Sequence, residues 1–379
     1  MPLSSAKRAW IVIAIVLLCL LAAGVAYYFW QARPLPPIVS TVPGVPIAGP
    51  PPDILSQLPA DAPVVAYIDA GNLRTLQNSP LAAALGLASP GPQADRDYAN
   101  FVRDTGFDYT RDLDHAAVAV WPASVGTPDN VLGEDRVIAF ADGRFDQQKI
   151  IAYALRTGKE IAHDQQPVYE VPGNPPVSLT FLSPTRIALA SGRNSTELLA
   201  RVSPNASSSA SRGAAMQSRI QRVAGAPMFA VARTDRLPQS IYAPLHNSPQ
   251  LEQIARSVQA ITLAGQPDRD NLRVTLDAEC DSLKNAVQLA FLLETGKMAG
   301  SMALSDPRTR RQITKEQFVF LEALINHATI NHQNKVVRIT LEITPDMLAA
   351  APPPKPAASH APMTPHTPAS PAAYPHSSQ

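Results

Sequence analysis

The stretch Ala62-Pro63-Val64-Val65-Ala66-Tyr67-Ile68-Asp69, followed by Leu73 and Asn78-Ser79-Pro80, is echoed by Ala226-Pro227-Met228-Phe229-Ala230-Val231-Ala232-Arg233, followed by Leu237 and Asn247-Ser248-Pro249. A spaced pattern that returns with its punctuation intact is the signature of an internal repeat. The elements that follow the two copies keep one order. In the first, strands over 116–121 and 136–141 lead into a helix over 146–157 that ends at Gly158-Lys159. In the second, strands over 260–264 and 271–278 lead into a helix over 281–295 that ends at Gly296-Lys297. Each helix opens on an acidic residue, which suits the positive end of its dipole, and stops at a glycine, which suits a left-handed cap.

Alternation supports the strands. Val118 and Val120, then Val137, Ala139 and Ala141, then Leu272, Val274 and Leu276 put apolar side chains on one face of an antiparallel sheet. The stretches 149–155 and 286–293 are apolar at helical spacing and read as core. The first unit closes with a hairpin, 177–182 and 186–190, turned by Ser183-Pro184-Thr185; the second carries an added helix over 314–327 and a closing strand over 335–343. The fold class predicted is α+β: two tandem, duplicated units of antiparallel sheet with helices packed on one face. The units occupy 58–203 and 226–348, joined by a linker and lead-in helix over 204–225.

Ahead of the repeat, residues 9–30 (AWIVIAIVLLCLLAAGVAYYFW) carry no charge and, at ~1.5 Å per residue, span ~33 Å as a helix, enough for a bilayer core. A cleaved signal peptide would end in a small-residue site, whereas Gly24-Val25-Ala26 runs on into the aromatic belt Tyr27-Tyr28-Phe29-Trp30. The segment therefore reads as a retained transmembrane helix. Lys7 and Arg8 outweigh Arg33, so residues 1–8 are expected in the cytoplasm. That makes the chain a single-pass protein of the inner (cytoplasmic) membrane, its body in the periplasm or outside the cell. Residues 31–57 read as a proline-rich stalk: 34–63 hold ten prolines and only two charged residues. Residues 349–379, with nine prolines and Lys355 as the single charge, read as a disordered tail. Of the two cysteines, only Cys280 falls in the exported part, so the body has no intrachain disulfide, and the acidic neighbours of Cys280 favour an inert, buried thiol.

Composition narrows the function without naming it. Lys+Arg 32 against Asp+Glu 31 leaves a net charge of +1, too little to neutralise a phosphate backbone, so nucleic acid is excluded as a partner. No Gly-x-Ser-x-Gly, His-Glu-x-x-His, phosphate-loop or Cys-x-x-Cys motif occurs. The sequence therefore offers no catalytic, cofactor-binding or metal-binding set. The candidate acidic cluster is Asp104, Asp108, Asp112 and Asp114, within 104–114 (DTGFDYTRDLD). Its spacing fails the EF-hand pattern, Arg111 lies close enough to neutralise a neighbour, and Asp108 and Asp112 suit turn and capping roles. His327 and His332 flank a helix-to-strand turn, and His360, His366 and His376 lie in the tail.

At Leu58-Pro59-Ala60-Asp61 with the repeat stretch through Asp69, at the 105–114 block and at Gly143-Arg144-Phe145-Asp146, the chain resembles bacterial envelope proteins that set an export or anchor segment before a duplicated α+β body. The resemblance spans 58–346 and implies a fold and a location; it carries no activity. The expected function is a non-enzymatic binding or scaffolding module of the cell envelope, held in the membrane through 9–30, with an envelope protein or the cell wall as partner. The alternative is an envelope enzyme or small-ligand sensor that uses a cleft between the two repeats.

Overall fold

The computed structural model describes residues 51–347, apart from 75–95, 123–134, 201–213, 308–314, most of 239–247, and positions 164, 165, 174, 193, 269, 270 and 346. The expected transmembrane helix at 9–30, most of the stalk and the tail at 349–379 lie outside the described residues. Among the described residues no helix is long and apolar enough to cross a membrane.

The first half contributes strands β1 (Val64–Asp69), β2 (Leu113–Trp121), β3 (Arg136–Gly143), β4 (Lys159–His163), β5 (Gln166–Val171), β6 (Val177–Ser183) and β7 (Arg186–Ser191). The second contributes β8 (Met228–Arg233), β9 (Val258–Asp268), β10 (Asn271–Cys280), β11 (Ala328–Gln333) and β12 (Val336–Ile343). Between them run helices α1 (Ala70–Arg74), α2 (Arg96–Thr105), α3 (Tyr109–Asp112), α4 (Gln147–Thr157) and α5 (Ser195–Ala200). Further along are α6 (Ala214–Gln221), α7 (Pro249–Ser257), α8 (Leu283–Ser305) and α9 (Lys315–His327).

The described strands all join one 12-stranded antiparallel sheet, ordered β11-β12-β10-β9-β8-β1-β2-β3-β7-β6-β5-β4. The two halves are thus not separate sheets, as the repeat suggested, but fuse edge to edge through β1 and β8. Pairing the two leading strands removes two exposed edges at once, which is the physical advantage over separate units. Ala66 lies opposite Ala230, Val64 opposite Ala232 and Ile68 opposite Met228. Ala66 and Ala230 hold the same place in the echoed stretches, so the register is that of a two-fold axis through the joint. Matched hydrogen bonds close its ends: Asp69 N–H donates to Pro227 O and Arg233 N–H to Pro63 O, each at 2.7 Å.

Helices lie on both faces, not one. In β1, Val65 and Tyr67 point to one face while Val64, Ala66 and Ile68 point to the other, so both sides are apolar and both need cover. On the first face Val65, Tyr67, Ile138, Phe140, Phe229 and Val231 form one core running across the joint. It is roofed by Ile54, Leu55, Leu58, Leu199 of α5, and Met216 and Ile220 of α6. Residues 53–57 therefore belong to the body: they form a 3-10 turn with Ile54 and Leu55 buried, where a stalk was expected. The second face has two separate cores. One seats Ile150 and Ala154 of α4 against Tyr169, Leu179 and Ile187. The other seats Ala286 and Ala290 of α8 against Ala278, Cys280, Ile330, Val337 and Ile339.

Three local expectations need correction. Helix α8 does not stop at Gly296-Lys297 but runs on to Ser305, because Ala299, Gly300 and Leu304 extend its buried side. That contact outweighs a glycine's helix cost of about 1 kcal/mol. Gly158 does cap α4, but at φ −107, not in the left-handed region. The position excludes a side chain for lack of room: a Cβ would sit 2.1 Å from the Glu170 carbonyl oxygen. Finally, the closing strand of the second half is one arm of a hairpin, β11–β12, that matches β6–β7 of the first. Its turn rests on Asn334 at φ 53, and the Asn-Lys pair lacks the glycine that announces such turns.

Candidate functional site

The four aspartates of the acidic cluster do not converge. Asp104 pairs with Arg156 at 2.5 Å and Arg103 at 3.0 Å, and the Arg156 contact foremost holds its carboxyl below the usual range. Asp108 caps α3, accepting from the Thr110 backbone at 2.9 Å, the Thr110 hydroxyl at 2.7 Å and the Tyr98 hydroxyl at 3.0 Å. Burial pushes its carboxyl up, but those bonds win and hold it low. Asp112 takes both Arg111 nitrogens, at 2.9 and 2.6 Å, and the Asp108 backbone N–H at 3.0 Å, and Arg111 keeps its carboxyl low. Asp114 pairs with Arg74 at 2.6 Å. The cluster is a set of acceptors, each with its own donor.

Only Asp114 reaches the charged cleft at one end of the sheet, where β1, β3 and β6 finish and β2 and β7 begin. The cleft has a volume of about 710 Å³ and lies within the first half, lined also by Asp69, His115, Asp142, Arg144 and Arg186. Strand register brings them together: His115 sits opposite Asp69 on β1 and Asp142 on β3, and Asp142 sits opposite Arg186 on β7. Arg186 donates to both Asp142 oxygens, at 2.6 and 2.8 Å, and also approaches Asp53 at 3.5 Å. Asp69 accepts from the Asn72 backbone at 2.7 Å. The Tyr67 hydroxyl lies 2.9 Å from His115 Nδ1. Burial foremost, with Asp69 and Asp142 nearby, pushes the Tyr67 hydroxyl up to about 12. Tyr67 therefore stays protonated at neutral pH. Neither His327 nor His332 lines this cleft. Among the described residues no three His, Cys, Asp or Glu side chains are grouped to hold a metal ion. Nothing local in the sequence links Asp69, His115, Asp142 and Arg186, which only the ladder makes neighbours.

A second surface lies on the other face, along the joint between the halves. Register places three rows of side chains there. The middle row is Ala139, Val118, Ala66, Ala230 and Leu263. On one side of it run Val137, Val120, Val64 and Ala232, and on the other Ala116, Ile68 and Met228. All are half-buried and none belongs to a core cluster. Helix α4 packs on β4 and β5, and α8 on β10, β11 and β12, while α1 meets β2, pairing Arg74 with Asp114 near its start, and α7 meets β9, which it leads into; α4 and α8 thus flank the central strands on this face. Gly265 ends the row of Met228 and makes room for it: a Cβ there would lie 2.7 Å from Met228 Cγ. The outer side of α8 is apolar too, with Leu283, Val287, Phe291, Met298 and Met302 exposed.

No family model matches the chain, and no curated protein matches it by sequence. Among solved structures it bears a distant structural similarity to TP0453 in several crystal forms. Against crystal form I the TM-score is 0.40 at 13% identity, covering 79% of this chain and 95% of that one. Against form IV it is 0.43 at 11% identity, with 79% and 95% covered. Against form III it is 0.43 at 12% identity, with 79% and 96% covered.

Proposed function

We propose that this chain is a single-pass, membrane-anchored extracytoplasmic protein acting as a non-enzymatic binding module of the cell envelope, with the centre of the second sheet face as its binding surface. The observation that carries the reading is the three apolar rows along the joint, which no described helix covers. Such a surface gains free energy when a partner removes it from water. The pairs Asp142–Arg186 and Asp114–Arg74 support the same reading, since those charges in the cleft already satisfy one another. The anchor at 9–30 and the proline-rich stalk, both read from the sequence, set where the body sits and how far it reaches.

The test places a photo-crosslinking residue at Val118, on the apolar rows, or at Thr185, on the rim of the cleft, in the full chain in its native cells. Capture of another molecule from position 118 and not from 185 supports the reading. A position 118 that crosslinks only to this chain refutes it. The cleft favours the second reading, a small-ligand sensor or enzyme, although it lies inside the first half and not between the repeats. Turnover or ligand binding by the purified protein that is lost on His115→Ala would put that reading first.

A further inference from the structure

We infer that the central apolar rows form a trough for one long acyl chain presented by a membrane lipid; this rests on the binding-module reading and names its ligand class. The floor crosses five strands, β3, β2, β1, β8 and β9, and is about 19 Å long at ~4.8 Å per strand spacing. Across the rows it measures about 13 Å, from Val64 to Ile68 at ~3.3 Å per residue. A floor of roughly 250 Å² falls well short of the ~800 Å² per partner that a stable protein interface buries, which argues against a folded protein or a second copy. It suits a slender ligand. A single leaflet's acyl chains reach ~15 Å, half of a ~30 Å hydrocarbon core, and so fit within the floor's length.

Chemistry points the same way. Ala66, Val118, Ala139, Ala230 and Leu263, the middle row, bring no hydrogen-bonding side chain to the floor, and neither do the rows beside it. A ligand recognised there by its polar groups would leave them unpaired, so the surface selects for a chain that has none. Alanines at the joint, Ala66 and Ala230, keep the middle of the floor low where the two halves meet. The proline-rich stalk supplies access. Residues 31–52, fully extended at ~3.1 Å each, hold the body within about 70 Å of the anchored membrane, so lipid is present at high effective concentration. The free-energy gain comes from the protein side, because occupancy removes the floor from water while the acyl chain exchanges one apolar setting for another.

The experiment reconstitutes the full chain into phospholipid nanodiscs that contain a phospholipid with a diazirine in its acyl chain, and maps the photo-adducts by peptide mass spectrometry. Adducts are expected on peptides holding 64–68, 116–120 and 228–232, besides those on 9–30. The shape-conserving pair Val118→Thr and Val120→Thr should lower the floor adducts roughly tenfold while sparing those on 9–30. Ala230→Trp, which fills the floor, should do the same, with circular dichroism checking that the sheet is retained. Adducts confined to 9–30 overturn the inference. If the position 118 crosslinker captures a partner protein in cells while the floor takes no acyl adduct, the binding-module reading survives and the acyl ligand falls. If position 118 captures only this chain, both fall.

Discussion

Replacing Glu279 by Gln should destabilise the protein by about 2 kcal/mol at neutral pH, and the loss should fade as the solution is acidified. Glu279 ends β10 on the first face, where Arg219 of α6 donates to its two oxygens at 3.1 and 3.0 Å and Arg222 adds a third bond at 2.9 Å. Arg219 is buried, at 8% exposure, so losing the carboxylate leaves a guanidinium short of its counter-charge. Breaking a fully buried pair costs about 3–5 kcal/mol. The side chains of Glu279 and Arg222 are 25% and 31% exposed, which admits solvent and brings the expected cost to about 2 kcal/mol. Arg219 first, then Arg222, holds the Glu279 carboxyl below its ordinary value. A lowered carboxyl pKa contributes stability that is whole above the unfolded value of 4.5 and is lost as the pH falls through the folded value. Urea unfolding of the full chain in detergent, followed by tryptophan fluorescence, should therefore separate wild type from Glu279→Gln at pH 7 and bring them together as the pH drops below 4.5. A gap that stays constant from neutral to acid pH, or one that is absent at neutral pH, would refute the charge-based account.

Three further outcomes follow from close contacts. Gly158→Ala should cost about 2–3 kcal/mol by thermal melting, because the new Cβ meets the Glu170 and Ala154 carbonyl oxygens at 2.1 and 2.7 Å and backbone must move. Gly265→Ala should cost less than about 1 kcal/mol in the same assay despite a 2.7 Å approach, since the obstacle is the unbranched side chain of Met228 and not backbone. A cost equal to that of Gly158→Ala would mean that Met228 is held rigidly. With Cys19 changed to Ala, Cys280 should resist maleimide in the folded protein and react on addition of urea. It is 1% exposed, and burial, ahead of its acidic neighbours, pushes its thiol up. Rapid labelling in the folded state would contradict its place in the core.

The acidic cluster shows where local sequence stops being informative. Capping by Asp108 was legible because its partner, Thr110, is two residues away, and Arg111 was legible beside Asp112. The partners of Asp104 and Asp114, Arg156 and Arg74, are distant in sequence, and no spacing rule reaches them. The same holds for the cleft, where His115, Asp142 and Arg186 are neighbours only through ladder register. Helix α8 misled for a related reason. Gly296 is a stop signal in an isolated helix, and the buried side that carries the helix past it becomes visible only once the sheet beneath is in place.

By itself the sequence determined the α+β class, the alternating strands, the Asp146 cap of α4 and the correspondence of Ala66 with Ala230, because these depend on side-chain period and on contacts within a few residues. Tertiary structure alone decided that β1 and β8 pair, that the two halves share one sheet, and that both faces carry helices. The physical reason lies in β1, which is apolar on both sides and has two edges to satisfy. Alternation states that such a strand must be buried; which strand it pairs with, and which of its faces a helix covers, is fixed only by the competition among all the other elements for the same surface.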